Sequence, residues 1–370
     1  MPVKANERLT SLDVFRGITI MGMILVNNAG NWSYVYPPLE HSAWNGWTPT
    51  DLIFPFFLFI VGTAMTFSFG KMKEKRVPKK EIYSKVIKRT IIIFVLGVFL
   101  NVFPFFKMNP FQWMDISTFR ILGVLQRIAI AYFFASVILL EFERKGQIIF
   151  AFGLLIFYWI IMMIIPVPGY GAGDLTRDGN LAAYIDRLLL GRHLYTPTFD
   201  PEGILSTIPA VSSVLFGVLA GHLVHSKKTK EEKTNYLFVF GVTALFLGVT
   251  LGVWFPINKQ LWTPSYVIFT TGFALVFLAV CFWMIEVKGF TKWSKPFLIY
   301  GMNALAVYVL SSAVAKFLAI AGTKAFIENQ ILAKIFADPY HASLAYPLLH
   351  ILFWLWVMGI LYKKRIFIKV

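Results

Sequence analysis

Residues 266–286 read YVIFTTGFALVFLAVCFWMIE, and the first twenty of them carry no charge. A helix of about 20 apolar residues is long enough to cross the roughly 30 Å hydrocarbon core of a bilayer. Nine further stretches share this character, and 57% of all residues are hydrophobic. Such a composition is more apolar than that of a soluble domain. The sequence therefore predicts an integral membrane protein embedded in a lipid bilayer.

The predicted fold class is all-α, because backbone groups in hydrocarbon must be hydrogen-bonded within each segment and helices do this. We predict a single polytopic domain, residues 1–370, built as a bundle of about ten transmembrane helices. The predicted spans are Leu12–Gly30, Asp51–Gly70, Val86–Pro104, Phe119–Leu140, Ile148–Pro166, Gly203–Val224, Tyr236–Phe255, Tyr266–Glu286, Phe297–Leu318 and Ala342–Leu361.

Lysine and arginine are unevenly distributed between the predicted loops. Of the 35, 24 fall on one side of the bundle, eight on the other, and three within or at the ends of spans. Basic loops are retained in the cytoplasm, so both termini are predicted to be cytoplasmic. The net charge of +16 then reflects membrane topology rather than nucleic-acid binding. A single cysteine, Cys281, gives no metal-site spacing, and no metal is expected.

Three segments on the opposite side are long enough to form a structured surface: residues 31–50, 105–118 and 167–202. The third contains Gly-rich and Pro-rich turns and a short amphipathic helix, LAAYIDRLLLG. We expect the three to form an extracytoplasmic vestibule. A packed connector that contacts no ligand is the alternative for the third segment.

The first predicted helix carries a polar face. At 100° per residue, Asp13, Arg16 and Asn27 fall on one side of it, and the last two are about 16 Å apart along the axis. Ionised side chains at bilayer depth cost about 2.5–3.5 kcal/mol on insertion scales, so this face is expected to meet protein, water or ligand. It forms either a polar route into the bundle or an Asp13–Arg16 ion pair that only fixes helix packing.

His41 follows the first helix in a segment rich in tryptophan and tyrosine, which are ordinary anchors at the membrane surface. An imidazole is able to accept a proton from an amine or a hydroxyl at physiological pH. His41 is therefore a candidate general base. A structural role in the loop is the alternative.

Two further predicted helices carry polar residues. In the stretch RILGVLQR, Arg120 and Arg127 are one heptad apart and so are predicted to share a helical face, and Gln126 precedes Arg127. They are predicted to line a polar wall that holds phosphate or hydroxyl groups, or else to pair with Asp115 or another buried acid. Asn303 in the ninth predicted helix contacts either a ligand or a neighbouring helix.

A set of motifs runs through nearly the whole chain in a fixed order. They are SLDVFRGITIMGMILVNNAG, HSAWNGWTPTDLIFPFFLFIVG, GVLQRIAIAYF, FDPEGILSTI, PINKQLWTPSY and YGMNALAVYV. This set resembles the heparan-alpha-glucosaminide N-acetyltransferase family and its bacterial relatives. Animal members carry an additional lumenal domain and disulfide-forming cysteines. This chain is similar to the shorter bacterial type, which implies a multi-pass protein of the bacterial inner membrane.

The resemblance implies an acetyltransferase that moves acetyl from cytoplasmic acetyl-CoA to the amino group of an extracytoplasmic, glucosamine-type amino sugar. The catalytic histidine and asparagine of the family fall on His41 and Asn27. The residues expected to bind acetyl-CoA are Asp13, Arg16, Gln126, Arg127 and Asn303. The residues expected near the sugar are Trp44, Asn45, Asp51, Asn258 and Trp262.

Several alternatives remain open at this point. Asp51 either orients the imidazole or only caps the second helix. His41 either removes a proton from the attacking amine or first carries the acetyl group itself. O-acetylation of a polysaccharide uses the same donor and base, and a transporter for amino sugars or anions also requires a polar route. A homodimer is compatible with the sequence.

Overall fold

The structure is a computed structural model that describes residues 9–107, 111–115 and 117–368. Both extreme termini and part of the predicted 105–118 loop therefore lie outside the described residues. Within them the only strands are β1 (Phe106–Lys107) and β2 (Gln112–Trp113), which pair antiparallel. Nearly all other regular structure is helical, which confirms the predicted all-α class.

Fourteen α-helices occur in the described part of the chain. They are α1 (Thr10–Asn27), α2 (Ile53–Glu74), α3 (Lys79–Val102), α4 (Val124–Glu141), α5 (Arg144–Ile164), α6 (Leu181–Leu190), α7 (Thr207–His225), α8 (Lys230–Leu251), α9 (Pro264–Phe282), α10 (Lys295–Met302), α11 (Ala304–Ile320), α12 (Thr323–Phe326), α13 (Ala333–Ile335) and α14 (Pro339–Lys363). A 3₁₀ turn, Pro49–Leu52, leads into α2, and a π-helical turn, Trp283–Val287, continues α9.

Eight helices of the described chain are long and apolar enough to span a membrane: α1, α2, α4, α5, α7, α8, α9 and α14. The bent pair α10 and α11 makes a ninth if it is one span. The predicted span Val86–Pro104 falls in α3, a continuous helix that does not qualify because Lys85, Lys88 and Arg89 lie in its middle. The predicted number of ten is therefore not confirmed.

The predicted ninth span, Phe297–Leu318, is not one straight helix. The chain bends by 73° between α10 and α11, at Asn303, whose backbone (φ −125°, ψ 35°) leaves the helical region. The side-chain amide of Asn303 donates to the carbonyl of Ile366 and accepts from the backbone N–H of Ile368. These contacts with the C-terminal segment fix the break, and sequence periodicity gives no sign of them.

Burial separates central helices from peripheral ones. In α7, 83% of the most apolar 18 residues are buried, against 22% in α8 and 28% in α5. The exposed residues of α8 include large apolar side chains such as Phe246, which is 72% exposed. The apolar outer face is consistent with contact with lipid, and α7 packs at the centre against α2, α4 and α5.

Glycines allow α2 and α7 to pack at backbone distance. A Cβ on Gly62 would lie 1.9 Å from the carbonyl oxygen of Val214, and one on Gly217 would lie 2.0 Å from that of Phe59. Small residues are common at membrane helix interfaces because van der Waals packing drives association there. The α2–α7 contact therefore depends on these two residues.

We expect Gly62→Ala to lower the melting temperature of the protein in detergent, because its methyl group forces α2 and α7 apart. Gly70→Ala on the same helix is the matched control, since nothing lies within 4 Å of its added Cβ. Alanine is the better helix former by about 1 kcal/mol, so this control should be neutral or stabilising. Equal melting temperatures for the two variants would contradict the proposed close contact.

Candidate functional site

Two cavities lie along α1, one towards each of its ends. The His41 cavity, about 290 Å³, is lined by Asn27, His41, Arg120, Glu202, Lys259 and Tyr308, among others. The Arg16 cavity, about 540 Å³, is lined by Asp13, Arg16, Lys71, Arg89, Tyr132 and Phe367, among others. The polar face predicted for α1 therefore meets cavities inside the bundle.

Asp13 and Arg16 form an ion pair, with 3.0 Å between Oδ1 and Nη1. Nη1 of Arg16 also lies 3.3 Å from the carbonyl oxygen of Gly301. The predicted packing contact is thus present, and both side chains also line the Arg16 cavity. Helix packing and contact with a ligand are compatible roles for this pair.

A thin layer of side chains separates the two cavities. On α2, Phe54 lines the His41 cavity and Phe57 lines the Arg16 cavity. On α11, Tyr308 lines the His41 cavity and Leu305 lines the Arg16 cavity. Three residues of α-helix rise about 4.5 Å. The nearest lining residues of the two cavities are therefore about one helical turn apart along α2 and α11, and seven residues apart along α1, at Arg16 and Met23.

His41 is held by Asp51. Its Nδ1 lies 2.7 Å from Oδ1 of Asp51, which is 1% exposed, whereas the imidazole is 47% exposed. A carboxylate only accepts hydrogen bonds, so Nδ1 must carry the proton in this pair. Nε2 is then the acceptor nitrogen of the neutral ring. The predicted orienting role of Asp51 has this geometric support.

The loop before α2 folds around the Asp51 carboxylate. Oδ2 accepts from the backbone N–H groups of Ser42 and Thr48, each at 3.0 Å, and lies 3.2 Å from the Thr48 hydroxyl. Thr48 and Asp51 form a capping box at the 3₁₀ turn. The hydroxyl of Tyr266 donates to the backbone carbonyl of Asp51 at 2.6 Å. Asp51 therefore both caps the 3₁₀ turn that leads into α2 and is hydrogen-bonded to His41.

Lys259 brings a positive charge to this pair. Its Nζ lies 2.9 Å from Nδ1 and 3.4 Å from Nε2 of His41, and 3.3 Å from Oδ1 of Asp51. Because Nδ1 donates to Asp51, the short contact with Nδ1 is electrostatic rather than a hydrogen bond. Burial lowers the pKa of Lys259, while Asp51 and Glu202 act in the opposite direction.

Arg120 forms the opposite wall of the His41 cavity. Its guanidinium bonds both carboxylate oxygens of Asp200, at 2.9 and 2.5 Å, and also contacts Glu202. Burial disfavours the charged guanidinium, but Glu202 and Asp200 outweigh it and raise the pKa of Arg120. The predicted pairing with a buried acid is thus present, but the partners are not Asp115.

The predicted helical face shared by Arg120 and Arg127 is wrong, because α4 begins only at Val124. Arg127 is 1% exposed, contacts the Gly203 carbonyl and the Ser206 hydroxyl, and lies over the Trp262 ring. Two of its nitrogens, Nε and Nη1, have no partner in the described protein. Arg127 thus lies in the packed wall behind the cavity.

Other residues predicted to bind acetyl-CoA also have structural partners. Gln126 is buried, and its Nε2 donates to the Ile121 carbonyl at 2.8 Å. Asn303 bonds the C-terminal segment, of which Phe367 lines the Arg16 cavity. Of the predicted set, Asp13 and Arg16 line a cavity, whereas Gln126, Arg127 and Asn303 are not among the lining residues described for either one.

The residues predicted near the sugar mostly join loops to one another. Trp44 donates from Nε1 to the Leu175 carbonyl, and Asn45 accepts from Nδ2 of Asn258 at 3.1 Å. Asn258 and Trp262 are 0% and 1% exposed. Of the three residues between them, Lys259 and Gln260 line the His41 cavity instead.

The charged or polar residues of the His41 cavity that sequence reasoning missed include Lys259, Glu202 and Tyr195. Lys259 and Glu202 had a signal, because each is a charge within one of the quoted motifs, in a loop predicted to lie at the outer surface. Tyr195 had none. Among the described residues, no group of three or more His, Cys, Asp or Glu is arranged to hold a metal.

Comparison with known proteins identifies the family of the chain. The chain is 30% identical to the heparan-alpha-glucosaminide N-acetyltransferases of Mus musculus and Homo sapiens over 98% of its length. It spans about three fifths of these relatives, 61% and 60%. The model of the heparan-alpha-glucosaminide N-acetyltransferase catalytic family matches residues 8–255, which include His41, Asp51, Arg120 and Glu202. The chain belongs to this family.

Proposed function

We propose that the protein is a transmembrane acetyltransferase that moves acetyl from acetyl-CoA, bound in the Arg16 cavity, to the amino group of a glucosamine-type sugar in the His41 cavity. The proposal rests on the two cavities along α1. One of them contains the accessible imidazole of His41, which is hydrogen-bonded to the buried carboxylate of Asp51. A histidine positioned by a carboxylate is suited to proton transfer from a nucleophile.

The Arg16 cavity fits the charge of the donor. Arg16, Lys71 and Arg89 line it together with the single acid Asp13, and cations of this kind bind phosphate groups. Lys71 in α2 and Arg89 in α3 bound the stretch with the densest positive charge, and by the positive-inside rule we propose that this cavity and both termini face the cytoplasm. The proposed location is the bacterial inner membrane. The homodimer stays a prediction.

Along the polar face of α1, Arg16 and Asn27 are separated by about 16 Å, the distance over which an extended arm of the donor has to reach. The layer between the cavities, including Phe54 and Phe57, must move aside for the thioester to reach His41. We propose that Asn27 then stabilises the oxyanion that develops on the acetyl carbonyl, as an amide donor can.

His41 acts through Nε2, since Nδ1 is committed to Asp51. In one route Nε2 takes a proton from the sugar amine as the amine attacks the thioester carbonyl, the C–S bond breaks, and the imidazolium returns the proton to the departing CoA thiolate. In the other route Nε2 attacks the thioester and expels CoA, and the amine then attacks the acetyl group on Nε2 and displaces the imidazole. Asp51 stabilises the positive charge that the ring acquires in both.

The sugar is proposed to enter through a vestibule built from the three long loops. Trp44 of the first contacts Leu175 of the third at 2.9 Å, and Arg120 at the end of the second contacts Asp200. Three residues that do not line the His41 cavity in the described structure are proposed to support the walls of this vestibule: Asn45, Asn258 and Trp262. The acceptor itself is proposed to contact Glu202, Tyr195 and Tyr308, which line the cavity.

The test of the function is to incubate the purified protein with acetyl-CoA and glucosamine and to measure free CoA and acetylated sugar by mass spectrometry. We expect equal amounts of both, and a product that resists mild alkali because it is an amide. An alkali-labile product would indicate O-acetylation instead. Uptake of unchanged labelled glucosamine into proteoliposomes, without CoA release, would identify a transporter and contradict the proposal.

A further inference from the structure

The position of Lys259 bears on the protonation of His41. Its ammonium lies within 3.4 Å of both imidazole nitrogens. We propose that Lys259 is a positioning residue whose positive charge keeps His41 unprotonated and thereby available as base or acetyl acceptor. The catalytic consequence rests on the proposed function, whereas the effect on protonation does not.

The backbone holds Lys259 in place on both sides. The amide of Asn258 accepts from the backbone N–H of Leu261 at 2.9 Å and donates to Asn45 at 3.1 Å. The backbone N–H of Gly46 donates to the Ile257 carbonyl at 2.7 Å. The Lys259 side chain is only 17% exposed, which is unusual for a lysine. The ammonium is thus fixed beside the ring by the fold.

The two neighbours of His41 act on its protonation in opposite directions. A carboxylate within hydrogen-bond distance favours the charged imidazolium, and an ammonium a few ångströms away disfavours it. With Asp51 alone, the pair would tend to hold a proton on Nε2, and a protonated ring cannot accept another. With Lys259 in place, Asp51 still orients the ring while the extra proton is repelled.

The other charges around the His41 cavity do not replace Lys259. Glu202 and Arg120 face the cavity from the opposite wall and are paired with each other, and Asp200 is paired with Arg120. The remaining polar groups that line it are uncharged: Asn27 on α1, Thr50 before α2, Tyr195, Gln260 and Tyr308 on α11. Burial and the positive charge of Arg127 lower the pKa of Lys259, so the repulsion ends at a lower pH than for an exposed lysine.

The experiment measures the rate at which diethyl pyrocarbonate modifies His41 as a function of pH, by peptide mass spectrometry. The reagent attacks only the unprotonated imidazole, and neither acetyl-CoA nor sugar is needed. We expect Lys259→Met and Lys259→Gln to move the midpoint for His41 upward by about one pH unit, as removal of a like charge should. Lys259→Arg should leave it in place.

His341, which is exposed and lies outside both cavities, is the internal control, and its midpoint should not change in any variant. If the acetyl transfer assay is positive, the acidic limb of kcat/KM should move with the His41 midpoint. An unchanged midpoint in the folded Met or Gln variant, or the same shift in Lys259→Arg, would overturn the inference. A shift without any acetyl transfer would contradict only the proposed function.

Discussion

Replacing His41 by alanine is expected to lower kcat/KM for acetyl transfer by about 10²- to 10⁴-fold, the usual contribution of a positioned acid or base. The imidazole is the group in the His41 cavity whose acceptor nitrogen is left available by its contact with Asp51. Because the side chain is 47% exposed, its removal should change the melting temperature little. Initial rates of CoA release at saturating acetyl-CoA provide the measurement.

The matched control for this variant is His341→Ala. His341 is another exposed histidine near the same end of the bundle, 3.8 Å from Asp338, and lines neither cavity in the described structure. It should retain normal turnover. Full activity in folded His41→Ala would show that the chemistry does not use this imidazole.

The second large effect is expected for Asp51→Asn. Asparagine has one acceptor oxygen where Asp51 uses two, so it cannot accept from the Ser42 and Thr48 backbones and from Nδ1 of His41 at the same time. If the oxygen stays on the backbone N–H groups, the amide NH2 faces Nδ1 and favours the other tautomer of the ring. In Ser-His-Asp enzymes the corresponding exchange costs about 10⁴-fold in kcat, and we expect a loss of about 10²-fold or more here. Steady-state kinetics with a melting curve for each variant separate this effect from unfolding.

Asp338→Asn is the control for this exchange. Asp338 caps α14 by accepting from the backbone N–H of Tyr340 at 2.7 Å, so it shares the capping role of Asp51, but its nearest histidine, His341, is 3.8 Å away and lines neither cavity in the described structure. A small loss of stability and full activity are expected. If Asp51→Asn and Asp338→Asn lose the same activity at the same stability, loss of capping alone accounts for the effect of Asp51→Asn, and the proposed role in orienting His41 is contradicted.

Much of the fold could be predicted because apolar length decides it. The predicted spans overlap α1, α2, α4, α5, α7, α8, α9 and α14. The polar face of α1 was also predictable, since helical periodicity alone puts Asp13, Arg16 and Asn27 on one side. The capping of α6 by Asn180, which accepts from Ala183 at 2.8 Å, follows local sequence rules in the same way.

The rest depends on contacts between distant residues. The break at Asn303 is fixed by residues more than 60 positions later. The local sequence also does not show that the Asn258 side chain is buried while the Lys259 side chain lines the His41 cavity. Helical periodicity predicts Arg120 in a helix, whereas α4 starts four residues later. The partners that hold Arg120, Asp200 and Glu202, lie about 80 positions away along the chain. Such pairings have no local signature in a single sequence.

In the proposed mechanism, acetyl crosses the membrane inside the bundle, from the Arg16 cavity to the His41 cavity. Sealed proteoliposomes with acetyl-CoA only outside and glucosamine only inside test this transfer. We expect free CoA outside and N-acetylglucosamine inside, and almost no product when both substrates are supplied outside. Efficient acetylation with both substrates on one side, and none across the bilayer, would contradict it.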